Sequence, residues 1–487
     1  MKKALFSLLL FAMSICALSA KIYTVSSPDG NLTMTIDVGD KVTYSVKAGD
    51  AIIVAPSTIA LELEDGTLLG SNSKVTGVRK GGNSETIVAP LYRQSSFKSE
   101  YNSLRLTMRG NWGIEARAFN DGVAYRLFTT FKKDINIKNE IVEFNFDKDY
   151  NVTLPFSDQF SDKYIASFEK QYDCEPISNF KNHGGRLSFM PIMVHYDGGG
   201  KAVLLESDVE DYPGMFININ SEKLGFVGEF PPYPLKHKDT SNGVLRVSER
   251  APYVASVKGN RTYPWRIVAY AADEKQIPVN NMVYALASPC RIDDTSWIKP
   301  GHSTWDWWNH CSIYNVDFKV GFNNDTYKYY IDFAAKYNFD YVLIDDGWYS
   351  YHNRNVMDAN PALDIPMLCE YAKGKNIRLI LWMVGDAFDK QAEEVCAYYS
   401  KMGIAGFKLD FFERQDQNVI TRTYSMAQVA AKYKMILNLH GIYVPKGLNR
   451  TYPNIVNFES VFGLEQLKWT DKKVADMAKN DLMVPFM

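Results

Sequence analysis

Cysteine and histidine are both scarce, with six cysteines and seven histidines in 487 residues. No two cysteines stand at the short spacing of a zinc or cluster site, which excludes the usual thiolate metal centres. A basic excess is also missing. The formal net charge is −2, so nothing in the balance would neutralise a phosphate backbone, and nucleic acid is not an expected partner. Past residue 20 there is no apolar run long enough for a membrane span. The chain has no Gly-rich phosphate loop and no Gly-x-Ser-x-Gly nucleophile elbow. What it has in quantity is aromatic side chain: 30 Tyr, 27 Phe and 9 Trp, 14% of the residues. Such richness suits sugar faces stacking on rings, and it equally suits large β-sheets.

Residues 1–20 have the pattern of a secretory signal. Lys2 and Lys3 supply a positive start, Leu5 to Leu18 a short apolar stretch, and Ala17, Ser19 and Ala20 a small-residue cleavage zone. The residues before Cys16 make a poor lipobox. The expectation is a soluble exported protein, periplasmic rather than lipid-anchored. Cys16 would leave with the signal. Cys174, Cys290, Cys311, Cys369 and Cys396 remain, an odd and scattered set. Export permits disulfides, but no pair is named by the sequence, and buried free thiols are expected.

Residues 21–287 read as β-rich. Leu32-Thr-Met-Thr-Ile-Asp-Val and Val42-Thr-Tyr-Ser-Val alternate with period two, and Tyr125-Arg-Leu-Phe and Ala202-Val-Leu-Leu-Glu fit further strands. Pro28-Asp-Gly, Glu64-Asp-Gly, Gly81-Gly-Asn and Asp197-Gly-Gly-Gly look like turns between them. The spacing predicts a large two-sheet sandwich. From 288 to 487 the pattern changes to apolar strands alternating with amphipathic helices. Tyr341, Arg378, Gly406, Met435 and Ile455 open the clearest strands. Tyr327, Ile331 and Ala334 share one helix face. Ile365, Leu368 and Ala372 share another, behind Asp364 as N-cap, and Ile420, Tyr424, Ala427 and Ala431 a third. Repeated strand–helix units predict a (β/α)8 barrel. Six strands are well supported, with a helix over 471–478 following, where a closed barrel needs eight. The expectation is therefore a barrel that is incomplete at its C-terminal end.

In such barrels chemistry sits at the C-terminal ends of the strands. Those ends carry Asp345, Asp346, Trp382, Asp410, His440 and Glu459, with Glu465 six residues further on. Carboxylates dominate, and His440 has no Ser or Cys partner at a recognisable spacing. Several acids in an aromatic-lined mouth are what glycoside hydrolysis requires. One protonates the leaving oxygen, and the other attacks the sugar or activates water. The same acids would suit a hard oxygen-binding cation.

An ordered set of local phrases narrows this. Pro264-Trp-Arg-Ile-Val, Asp294-Thr-Ser-Trp-Ile-Lys-Pro-Gly, Trp305-Asp-Trp-Trp-Asn and Tyr329-Tyr-Ile-Asp-Phe-Ala-Ala come first. Tyr341-Val-Leu-Ile-Asp-Asp-Gly-Trp, Lys408-Leu-Asp-Phe, His440-Gly, Arg450-Thr-Tyr-Pro-Asn and Glu459-Ser-Val-Phe-Gly-Leu-Glu follow. Together they resemble glycoside hydrolase family 97 across nearly the whole chain after residue 20.

The resemblance implies a β-super-sandwich, a catalytic barrel, a small C-terminal β-domain that is absent here, and a calcium ion. It also implies two branches. Inverting α-glucosidase-type members place a base Glu directly after the His of the fifth strand, where this chain has Gly441. Retaining α-galactosidase-type members place a nucleophilic Asp at the end of the fourth strand, where this chain has Asp410. Both positions resemble the retaining branch.

By the same resemblance Glu465 is the acid/base. Glu169, Glu459 and Glu465 are calcium ligands, Glu169 being matched through Ser167-Phe-Glu-Lys-Gln-Tyr. Asp346, Trp382, Lys408 and His440 are expected sugar contacts. The family often has Arg where Phe462 stands. The implied substrate is an oligosaccharide with terminal α-galactose. A β-L-arabinopyranoside, an inverting α-glucosidase activity, or a non-catalytic sugar-binding protein remain as alternatives.

Overall fold

The computed structural model describes residues 21–487 apart from 90, 159–161, 242, 350–354, 469–470 and 472–473. The expected signal, residues 1–20, lies outside the described residues. Two ten-stranded, largely antiparallel sheets form the first part of the chain. Their strands follow from period-two patterning. In Leu32–Val38 the residues Leu32, Met34, Ile36 and Val38 are all buried while those between them are not. The two sheets close over one core, which includes Tyr44, Leu106, Ile114, Tyr125, Phe144 and Val268. The last long strand, Trp265–Ala271, leads to the helix Met282–Leu286, whose Met282 and Leu286 pack back onto Trp265 and Ile267.

One expected turn is not a turn. Gly81 and Gly82 lie inside the long strand Val75–Val88, paired with Ser103 and Asn102 of the neighbouring strand. Glycine there answers close backbone approach, because a Cβ at Gly82 would stand 2.8 Å from the Tyr101 carbonyl oxygen. The Asp197-Gly-Gly turn does join two paired strands, Ile192–His195 and Lys201–Ser207. The five cysteines among the described residues are all free. Cys369 and Cys396 are buried as expected, whereas Cys174 and Cys290 are exposed and Cys311 is half-buried.

The second part contains six parallel strands in sequence order: β1 (Ser303–Trp305), β2 (Tyr341–Ile344), β3 (Arg378–Val384), β4 (Gly406–Asp410), β5 (Ile436–Leu439) and β6 (Ile455–Phe458). Among the described residues β1 and β6 pair on one side only. Four helices connect β1 through β5: α1 (Asn324–Lys336), α2 (Ile365–Lys373), α3 (Gly385–Met402) and α4 (Gln417–Lys432). Asn323, Asp364 and Asp416 cap α1, α2 and α4 by accepting from backbone N–H groups three residues on. The buried stripes are the expected ones, except that Ala430 rather than Ala431 closes the stripe of α4. The helix expected over 471–478 runs instead over Val474–Met483. Among the described residues no helix is long and apolar enough to cross a membrane.

Register places the polar residues. Leu343, Ile380, Gly406 and Ile436 lie across from one another, and Leu343, Ile380 and Ile436 join one apolar cluster. Two residues further along each strand, on the same face, stand Asp345, Trp382, Lys408 and Asn438. An apolar layer thus supports a polar one at the C-terminal ends.

Candidate active site

At those ends a cleft of about 200 Å³ opens, and every residue expected from the sequence to serve the site lines it. Glu169 comes from the sandwich part. Asp346, Trp382, Lys408, Asp410, His440 and Glu459 come from five consecutive strand ends, and Glu465 from the short helix Leu464–Lys468.

Asp410 is the last residue of β4. Its Oδ2 accepts from Trp382 Nε1 at 3.1 Å and its Oδ1 from the Phe411 backbone N–H at 2.7 Å. Burial raises its pKa, while the charge of Lys408, the His440 ring and the Trp382 bond act in the opposite direction. Lys408 is buried, with its Nζ 2.8 Å from Asp345 Oδ2 and 3.9 Å from Asp410 Oδ2, above the Trp305 ring. Asp345 Oδ2 also accepts from Trp305 Nε1 at 2.6 Å. Trp382 and Lys408 therefore direct their polar atoms at carboxylates of the site.

Glu465 Oε1 accepts from Trp307 Nε1 at 2.7 Å, and Lys468 Nζ bonds the Trp307 carbonyl at 2.6 Å. Burial raises the Glu465 pKa, the Trp307 bond opposes it, and the Glu459 charge raises it further. Glu459 behaves differently. Its Oε2 lies 3.0 Å from His440 Nδ1 and accepts from Gly441 N–H at 3.2 Å, and these contacts outweigh burial and lower its pKa. Of the two glutamates six residues apart, Glu465 is thus biased toward its protonated form, as Asp410 is, and Glu459 toward its charged form.

Glu169 sits in a loop after Phe168, whose φ is +64°, and accepts from Gln466 Nε2 at 2.8 Å. Burial, followed by the charges of Glu459, Asp410 and Glu465, pushes its pKa to about 9. Carboxylates repelling one another in a half-buried cleft are the donor chemistry that a hard cation relieves. Among the described residues no three such side chains are drawn together at metal-ligating spacing.

Three lining residues were given no role from the sequence: Trp307, Phe411 and Asp345, the last named only among the polar residues at the strand ends. Trp307 lies in the Trp305-Asp-Trp-Trp-Asn phrase and Asp345 next to Asp346, so a signal existed for both. Phe411 closes the Lys408-Leu-Asp-Phe phrase, but nothing in that phrase gave its side chain a role.

Residues 25–289 match the family described as Glycosyl-hydrolase 97 N-terminal, and residues 307–461 that described as Glycoside hydrolase 97. A retaining alpha-galactosidase of Bacteroides thetaiotaomicron is 38% identical over 494 residues, covering 100% of this chain and 74% of the relative. Among solved structures, a glycoside hydrolase family 97 enzyme from Pseudoalteromonas sp. strain K8, in complex with acarbose, superposes with a TM-score of 0.79. It is 22% identical, and the match covers 92% of this chain and 70% of that one. A beta-arabinopyranosidase superposes with a TM-score of 0.75 at 21% identity, covering 92% of this chain and 71% of that one.

Proposed function

The chain belongs to glycoside hydrolase family 97, and from that premise we propose that it is an exo-acting retaining α-galactosidase with Asp410 as nucleophile and Glu465 as acid/base. The observation that carries the reading is the pairing of Asp410 with Gly441. A Cβ at residue 441 would lie 3.4 Å from Asp410 Oδ1 and 3.3 Å from the Phe411 nitrogen, on a backbone with φ of +52°. A side chain at 441 would start in contact with the Asp410 carboxylate. Glycine leaves that carboxylate room and accepts the left-handed backbone without strain.

Asp410 attacks the anomeric carbon, and the glycosidic bond breaks as Glu465 delivers its proton to the leaving oxygen. Burial favours the protonated form of Glu465 that this step needs, and the Trp307 indole orients it. The covalent glycosyl-enzyme is then hydrolysed. Glu465, now a carboxylate, takes a proton from water, the water oxygen attacks the anomeric carbon, and Asp410 departs. Lys408 stabilises Asp410 as an anion before attack and after departure, while Trp382 fixes its orientation. Glu169, Glu459 and Glu465 would hold calcium, which when bound supplies positive charge on the leaving-group side. We read β1 to β6 as strands of a (β/α)8 barrel, their consecutive parallel order supporting this. Residues 1–20 we take as an export signal to the periplasm.

Proton NMR of the first sugar released from 4-nitrophenyl α-D-galactopyranoside tests the mechanism. The α-anomer is expected first, and an initial β-anomer would overturn the retaining assignment. Faster cleavage of the matching β-L-arabinopyranoside, which lacks only the exocyclic CH₂OH, would move the substrate rather than the mechanism. Exhaustive EGTA treatment is expected to remove activity, and calcium to restore it. Full activity in demonstrably metal-free protein would remove calcium from the account.

A further inference from the structure

The segment that leaves Asp410 is held from outside its own sheet. Phe411 and Glu413 both have left-handed backbones, φ +65° and +49°, a conformation that non-glycine residues keep only where surrounding contacts impose it. Those contacts come largely from the sandwich. Ala166 N–H donates to the Glu413 carbonyl at 3.0 Å, and Gly214 N–H donates to the Gln415 carbonyl at 2.8 Å. The Gln417 amide spans Asp211 Oδ1 at 2.9 Å and the Ser256 carbonyl at 2.8 Å. Glu413 N–H itself reaches across to the Gly441 carbonyl at 2.6 Å, tying this segment to the one that follows His440.

Beneath these bonds lies a buried ion network that the chemistry described above does not use. Gln415 Oε1 accepts from Lys446 Nζ, which also bonds Glu206 Oε1. Glu206 Oε2 takes Arg266 Nη1 at 2.6 Å, and Arg266 grips Glu140 through Nε at 2.9 Å and Nη2 at 2.6 Å. Two cations and two carboxylates balance, with all four side chains no more than 4% exposed. Desolvating four charges is costly, so the network is weak as an argument for stability alone. It is closely packed against the backbone: a Cβ at Gly214 would stand 2.4 Å from Gln415 Oε1 and 2.5 Å from Lys446 Nζ and would displace both. Glu140, Glu206 and Arg266 belong to sandwich strands, whereas Gln415 and Lys446 belong to the segments after β4 and β5.

We propose that Gln415 and Lys446 are positioning residues: through them the sandwich fixes the segment after β4, and so holds the Asp410 carboxylate against Trp382 and Lys408. The route is short, because the Phe411 N–H is itself a donor to Asp410 Oδ1. A tilt of this segment would turn that donor, and misplacement by a fraction of an ångström slows an in-line attack. The proposal rests on Asp410 being the nucleophile.

The test is a comparison of backgrounds. Gln415→Met keeps the side-chain length and leaves the Lys446–Glu206 pair in place. It is expected to lower kcat about tenfold with KM changed less than about twofold, since it touches no sugar. Asp410→Gly rescued by azide needs no carboxylate in position. Adding Gln415→Met to Asp410→Gly should therefore leave the rescued rate within about twofold. If the double variant lost the same tenfold, or if Gln415→Met left kcat unchanged in the native background, the proposal would be overturned. Near-native turnover by Asp410→Gly would instead bring down the underlying assignment of the nucleophile. Should Gln415→Met fail to fold, Arg246→Met serves instead. It removes the ion pair with Glu413 at a partly exposed position, and the same kcat-only loss, about threefold, is expected.

Discussion

Asp410→Gly is expected to abolish turnover of ordinary α-galactosides, by about 10⁴-fold or more, because no group remains to form the covalent intermediate. The cavity it leaves is bounded by Trp382 Nε1 and, further off, the Lys408 ammonium. That is a setting for a small anion. Added azide should enter it, attack the anomeric carbon from the face the carboxylate used, and restore a large part of the rate. The product should be the β-galactosyl azide, inverted relative to the substrate, and carbon NMR of the isolated azide would identify it. An Asp410→Gly protein that turns over normally without azide would disprove the role of Asp410. So would an α-configured azide product.

Glu465→Ala should produce the complementary pattern. Removing a general acid/base costs about 10²- to 10⁴-fold where proton transfer is needed. An aryl galactoside with a good leaving group needs little protonation, so its first step should be nearly spared. The second step still needs a base, so the glycosyl-enzyme should accumulate, kcat should fall, and KM should fall with it. Mass spectrometry of the quenched reaction should show the protein heavier by one galactosyl group. Azide should discharge this intermediate to the α-galactosyl azide, of retained configuration. Equal losses on good and poor leaving groups would count against the assignment. The local setting supports it: of the paired glutamates, Glu465 is biased toward protonation, while His440 and Gly441 bias Glu459 toward its charged form.

Much of this arrangement is visible in the order of residues along the chain. Period-two alternation in Leu32–Val38 predicts a half-buried strand, because successive side chains leave a strand on opposite faces. The stripe Tyr327, Ile331, Ala334 predicts a helix for the matching reason at a period near 3.6. Acids that follow apolar runs, as in Ile344-Asp345 and Leu409-Asp410, mark the functional ends of parallel strands. Glycine was the less reliable guide. Gly81 and Gly82 have the composition of a turn, yet they lie in a strand, and at Gly82 what favours glycine is the close approach of the Tyr101 carbonyl from the neighbouring strand.

The sequence by itself thus determined which residues face the core, which strand ends carry acids, and which acids are few enough to be catalytic. Each of those is a property of one segment and its own period. Only the tertiary structure decided what each acid touches. Trp382 and Asp410 are 28 residues apart, Trp307 and Glu465 158 apart, and Lys446 and Glu206 240 apart. Strand register and the packing of the sandwich against the segments after β4 and β5 bring them together. A carboxyl group's acidity depends on burial and on the charges within a few ångströms. Glu459 and Glu465, alike as residues and six positions apart, are therefore driven in opposite directions by neighbours that no local pattern could supply.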